Sequence, residues 1–194
     1  MVFESFQTAA PMPPATLDRY AGIVPDGLLQ AWRDHGMGFI GDGYFRMVDP
    51  VRAAALLGGT WLYPGAVIVF TTALADVIAY APGMFIVVKY RLGEVQPASI
   101  PFERLVALMG EDPSDRDVIW DWQPYPAARA RLGVPGFEDC LMHVPLLGMG
   151  GRGDAAQMQT GSLWMHIGLM VQLTGQLKLT HQLPLPTDGH DVPI

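Results

Sequence analysis

The sequence predicts an α+β fold, a central and mostly antiparallel sheet with helices packed on it. Short β-branched and aromatic runs follow one another at hairpin spacing through the middle of the chain. Helical patterns with clear stops lie before and after them, and strands do not alternate one for one with helices as a doubly wound sheet requires. Half of the 194 residues are apolar and 16% are charged, enough for the core of one large domain or of two small ones sharing a core.

The first 24 residues, with Pro11, Pro13 and Pro14, read as an extended arm. Pro25-Asp26-Gly27 opens a helix whose Leu28, Leu29 and Trp32 share one face, and Gly36 suits its end. A glycine-rich link, 36–43, leads to a short strand at 44–48. Asp49-Pro50 places an N-cap before a proline at the first helical position, and the helix 51–57 stops at Gly58-Gly59. Strands are expected at 61–63, 67–71, 77–80 and 84–90, with Ala81-Pro82-Gly83 as a hairpin turn and Glu94-Val95 closing the region. Asp76 stands before a strand, where its side chain would bond a turn. A helix at 101–109 is followed by the acidic segment 111–121. Pro124 and Pro126 mark a link to a helix at 127–132, a strand is expected at 156–160, and Ser162 begins a helix with Leu163, Ile167, Met170 and Val171 as its stripe, ended by Gly175. The proline-containing tail after Lys178 reads as extended or disordered.

Twelve basic residues against 19 acidic ones leave a net charge of −7. A negative chain repels phosphate backbones, so nucleic acid is an unfavourable partner and a cationic surface a favourable one. A single cysteine, Cys140, excludes an internal disulfide and fits a reducing compartment. The N-terminus has no basic run before an apolar stretch, and 66–88 is broken by Asp76, Pro82 and Gly83, so neither a secretory signal nor a membrane span is expected. The expected address is the cytoplasm.

Motifs for catalysis are weak. Gly36-Met37-Gly38-Phe39-Ile40-Gly41 matches a dinucleotide fingerprint by letter but follows a helix, where that site needs a strand. Gly148–Asp154 would serve either as an anion-binding backbone nest or as a tight turn, and it lacks the Lys-Ser/Thr of a phosphate loop. Cys140 and His143 have ligand-like spacing without a second pair. They are also a conceivable nucleophile pair without a local signature. No catalytic residue set, cofactor or metal is expected.

The acidic segment is more informative. Glu111, Asp112, Asp115, Asp117 and Asp121 oppose Arg116 alone, and Trp120, Trp122 and Tyr125 stand beside them. Steering charge with aromatic anchors is the composition of a binding hot spot. The competing structural reading is a solvated acidic loop with its tryptophans in the core. The expected partner-binding residues are Glu111, Asp112, Asp115, Asp117, Asp121 and Trp122.

In residues spread in order from Tyr20, Pro25 and Asp49-Pro50 to Cys140, Pro145 and Leu173-Thr174-Gly175, the chain resembles the type VI secretion immunity proteins that neutralise DNase toxins, built from a GAD-like N-terminal region and a C-terminal immunity domain. The N-terminal resemblance rests on Tyr20, Pro25, Leu28-Leu29, Trp32, Gly36, Gly43 and Asp49-Pro50. The C-terminal one rests on residues 138–151, EDCLMHVPLLGMGG, against a pattern of acidic, Cys, aromatic, two of any kind, Pro, apolar, any, Leu-Gly-Gly, and on Leu173-Thr174-Gly175. Together these span roughly 15–180. Leu74-Ala75-Asp76 departs from the usual Phe-Gly-Asp, and Leu141 from the usual aromatic. The resemblance implies a GAD-like region at 1–95, an immunity domain at 96–180 sharing its core, and an extended tail at 181–194. It implies binding of a cognate toxin, a basic nuclease whose phosphate-gripping surface an acidic inhibitor would mask. A small-molecule-binding or regulatory accessory domain is the alternative, with the middle sheet and the Gly148–Gly153 turn lining a pocket.

Overall fold

A computed structural model of the chain describes residues 3, 5–58, 63, 65–110 and 113–180, the side chains of 113–115 excepted. Eight strands form one sheet in the order β1-β2-β3-β4-β5-β6-β7-β10, comprising β1 (Phe6–Ala10), β2 (Met37–Ile40), β3 (Phe45–Met47), β4 (Val67–Thr72), β5 (Val77–Ala81), β6 (Met84–Lys89), β7 (Glu94–Ala98) and β10 (Lys178–Leu179). Every neighbouring pair is antiparallel except β10 with β7. The expected α+β class holds. A separate hairpin joins β8 (Asp139–His143) to β9 (Met158–Ser162).

The middle strands read as near-continuous apolar runs because both faces of the sheet are covered. On β6, Phe85 and Val87 enter one core while Ile86 and Val88 enter the other, as the two-residue period of a strand dictates. The first core is closed by α2 (Asp26–His35), α4 (Phe102–Leu108), α5 (Pro113–Trp120) and α6 (Pro124–Leu132), through Leu28, Trp32, Leu105, Trp120 and Tyr125. The second is closed by α3 (Pro50–Leu57) and α7 (Leu163–Thr174), through Ala53, Leu57, Leu163, Ile167 and Met170.

Local chemistry sets several boundaries as expected. Asp49 Oδ1 accepts from Val51 N at 3.0 Å and so caps α3. Pro82-Gly83 turns β5 into β6 with Ala81 opposite Met84, and Gly83 takes φ +84°, open to glycine at no steric cost.

Other expectations are corrected. The extended arm contains β1 and α1 (Pro14–Tyr20), and Thr16 Oγ1 donates to Asp49 Oδ1 at 3.0 Å, tying α1 to the cap of α3. The glycine-rich link contains β2, with Gly38 opposite Met47 of β3. Glu94-Val95 opens β7, whose Pro97 lies one strand in from the edge, beyond the two residues that β10 pairs. The proline link before residue 127 is the first turn of α6, since proline tolerates the opening positions of a helix. The acidic segment contains α5. Of the strand expected at 61–63, Tyr63 is described as a bend and the rest lies outside the described residues, as does the tail 181–194.

Candidate partner-binding surface

Of the six expected partner-binding residues, three have described side chains, Asp117, Asp121 and Trp122, at the end of α5 and the turn after it. Asp117 Oδ1 accepts from Gln123 N at 3.0 Å. Asp121, in the left-handed region at φ +50°, places Oδ2 2.6 Å from Lys89 Nζ and 3.6 Å from Arg91 Nη2, with 42% of its side chain exposed. Trp122 is half-buried with its ring 5.6 Å from Arg116 Cζ. Glu111 and Asp112 lie outside the described residues, and for Asp115 only the backbone, in α5, is described. Trp120 belongs to the core: its Nε1 donates to Leu108 O at 2.7 Å and its carbonyl accepts from Tyr44 Oη at 2.7 Å.

Four cations, Arg116, Lys89, Arg91 and Arg46, face inward, while Arg129, 3.7 Å from Asp42 Oδ2, is 44% exposed. Arg116 donates from Nε to Gly110 O at 2.6 Å and from Nη2 to Met109 O at 3.3 Å, and its Nη1 lies 3.1 Å from Asp42 Oδ1. Lys89 Nζ donates to Ile119 O at 2.9 Å besides pairing with Asp121. Arg91 pairs with buried Asp76. Arg46 is buried beside Phe39, donates from Nη1 to Asp139 O, and is held down to a pKa of about 10 by burial. Among the described residues these four cations are withdrawn from solvent, while Asp76 is the one buried carboxylate. Three of these cations still lie against partly exposed acids, Lys89 and Arg91 at Asp121 and Arg116 at Asp42.

A half-open cleft of about 500 Å³ lies between the β6–β7 turn, the turn at 146–149 and the end of α7. Leu92, Leu146, Leu147, Met149, Met170 and Leu173 supply its apolar walls. Arg91, Leu146, Leu147 and Met170 also border a small recess that holds His143 and His166. Burial lowers the pKa of both imidazoles, helped at His143 by Arg91 and at His166 by His143. Neither ring nitrogen of His143 has a protein partner. The pocket expected between the middle sheet and the Gly148–Gly153 turn corresponds in part to this cleft, whose walls also include the end of α7. The contribution of α7 to these walls had no sign in the sequence, because its wall residues come from a distant segment.

Other candidate motifs resolve as structure. Cys140 and His143 stand three apart on β8, so their side chains point to opposite faces, and burial pushes the Cys140 thiol up to about 12. The N–H groups of Met149, Gly150, Gly151 and Arg152 are bonded to Leu146 O, Leu147 O, Leu146 O and Gln157 Oε1, which leaves a turn and no anion nest. Gly36 ends α2 and Gly41 follows β2, so the fingerprint by letter has no phosphate-binding context. Among the described residues no group of three or more His, Cys, Asp or Glu is placed to hold a metal, and no helix is long and apolar enough to cross a membrane.

Residues 2–89 match the GAD-like domain. A protein from Agrobacterium tumefaciens, Atu4351, shares the fold: its crystal structure superposes with a TM-score of 0.72 over 94% of this chain and 90% of that one, at 18% sequence identity. No curated protein matches the chain at a significant level.

Proposed function

We propose that this chain is an immunity protein that binds a cognate type VI secretion toxin, a basic nuclease, and neutralises it by masking the surface that grips DNA. The observation that carries the proposal is the net charge of −7, with four cations against one carboxylate withdrawn from solvent among the described residues. A nuclease must present positive charge to phosphates, and a partner of net charge −7 meets it with a complementary field. The GAD-like domain at 2–89 and the motif at 138–151 support the same reading. In it, residues 1–95 and 96–180 form two regions around a shared core, and the protein acts in the cytoplasm, where its target would cut DNA. The proposal predicts that a basic nuclease is encoded beside this gene, and co-expression with it is the test. Survival of cells carrying both genes, against death with the nuclease alone, is the expected result; equal killing refutes it.

The cleft favours a second reading, a regulatory domain for a small molecule, because its volume and apolar lining suit one. A thermal shift with a nucleotide and metabolite panel, without complex formation with the nuclease, would support that reading instead.

A further inference from the structure

We infer that the cleft beside α7 binds a small carboxylate with an apolar body, the body lying along the cleft and the head reaching the recess lined by His143, His166 and Arg91. The inference rests on the small-molecule reading of the cleft, names its ligand class, and is independent of the immunity reading.

The two spaces share walls, since Arg91, Leu146, Leu147 and Met170 line both. They differ in chemistry. The cleft, at about 500 Å³, is of a size that takes a small molecule, and Leu92, Met149 and Leu173 extend its apolar lining. The recess, at about 10 Å³, has room for one oxygen atom. An occupant of both is apolar along its length and ends in a small polar group.

His143 gives the reason for a polar end. It is 4% exposed, and neither Nδ1 nor Nε2 has a hydrogen-bond partner in the protein. A neutral imidazole held this way leaves a donor and an acceptor unpaired, a cost that an oxygen accepting from the N–H reduces. His166, also buried, borders the same recess from α7.

The sign of the head follows from the charges that line the two spaces. Among the described residues Arg91 is the one charged side chain there, and no Asp or Glu lines either. Asp76 accepts from Nε and Nη2 of Arg91 and offsets part of its charge, while Nη1 makes no hydrogen bond among the described residues. An anionic head is therefore favoured over an ammonium group, and either imidazole gains a proton more readily beside it. A carboxylate has two oxygens, one for an imidazole N–H and one for the guanidinium, where an alcohol has one.

The probe is octanoate, with octanol and octylamine as matched neutral and cationic chains, titrated calorimetrically into the full chain. Octanoate should bind at least about tenfold tighter than octanol, and octylamine should not bind. His143→Leu should remove the preference for octanoate, with circular dichroism melts verifying the fold. Leu173 is exposed, so its variants report on the head charge even where His143→Leu does not fold. Leu173→Glu should bind octanoate at least about tenfold more weakly than Leu173→Gln, because it sets a negative charge beside the ligand. Met165, Leu169 and Leu173 form an exposed outward stripe on α7, and Met165 lies outside the cleft, so Met165→Glu should bind as wild type. Equal binding of octanoate and octanol, or equal binding of octanoate by the two Leu173 variants, overturns the carboxylate head and leaves an apolar small-molecule cleft. Equal weakening by Met165→Glu overturns the cleft in favour of the stripe. No binding of octanoate overturns the inference, and silence from the nucleotide and metabolite panel as well overturns the small-molecule reading with it.

Discussion

Arg91 grips Asp76 with two prongs, Nε at 3.0 Å from Oδ1 and Nη2 at 3.2 Å from Oδ2, across the point where the GAD-like domain gives way to the rest of the chain. Asp76 also accepts from Thr72 Oγ1 at 3.2 Å, and Arg91 Nη2 reaches Trp120 O at 3.5 Å. The pair therefore fastens the sheet to the segment that carries the acids. Both side chains are almost wholly buried, so loss of one partner strands the other. Asp76→Ala should cost about 3–5 kcal/mol in urea denaturation, and Asp76→Ala with Arg91→Met should cost clearly less than the sum of the single changes. Additive effects would show that the two do not act as a pair.

The buried imidazoles make the protein sensitive to mild acid. His143 and His166 have folded-state pKa values below the ordinary histidine value of about 6.5, with burial as the leading cause. The unfolded chain then binds protons more readily, so their contribution to stability is complete above about pH 6.5 and is lost as pH falls below it. The urea midpoint should drop from pH 7.5 to pH 5.5, and His143→Leu should flatten that drop. An equal slope in the variant would place the effect elsewhere.

Arg46 is a charge without adequate partners, since Nε and Nη2 have no acceptor and both are buried. Replacement by an apolar side chain of similar length removes the desolvation cost and keeps the volume. Arg46→Met should be neutral or stabilising, whereas Arg46→Ala should cost about 2–5 kcal/mol through the cavity it leaves. Equal losses in both variants would show that the guanidinium itself is required.

The acids of 111–121 are not equivalent. Glu111→Gln, Asp112→Asn, Asp115→Asn and Asp117→Asn together should slow association with the nuclease about 3–10-fold at low salt and flatten its salt dependence. Asp121→Asn should instead lower the melting temperature, because Lys89 loses its carboxylate. Stopped-flow mixing and thermal melts separate the two effects.

Much of the fold was legible where one residue dictates local geometry. Asp49 before Pro50 announced α3, and Pro82-Gly83 announced the hairpin it makes. Leu28, Leu29 and Trp32 marked the buried face of α2. The edge strands were hidden because β1 reads FQTAA, with its side chains largely solvent-facing, and β2 sits within a run of glycines. Ala75 takes φ +63°, a conformation that glycine adopts freely, and this explains the glycine usual at that position in the resembled family. The acidic segment was legible as charge, while the inward turn of Arg116 and Lys89 was not, since burial of a cation depends on carbonyls and carboxylates brought from elsewhere in the chain. The outward stripe of α7 had a sequence signal in the absence of any Asp, Glu, Lys or Arg from 155 to 177. Its buried partner stripe drew attention first.

The most direct test of the central claim is the association rate of the purified chain with the inactivated nuclease encoded beside it, measured from about 0.02 to 0.5 M salt. An acidic mask for a basic enzyme should form a stable complex, with association at or above about 10⁷ M⁻¹s⁻¹ at low salt and falling steeply as salt rises. No complex, or a rate indifferent to salt, would contradict the account.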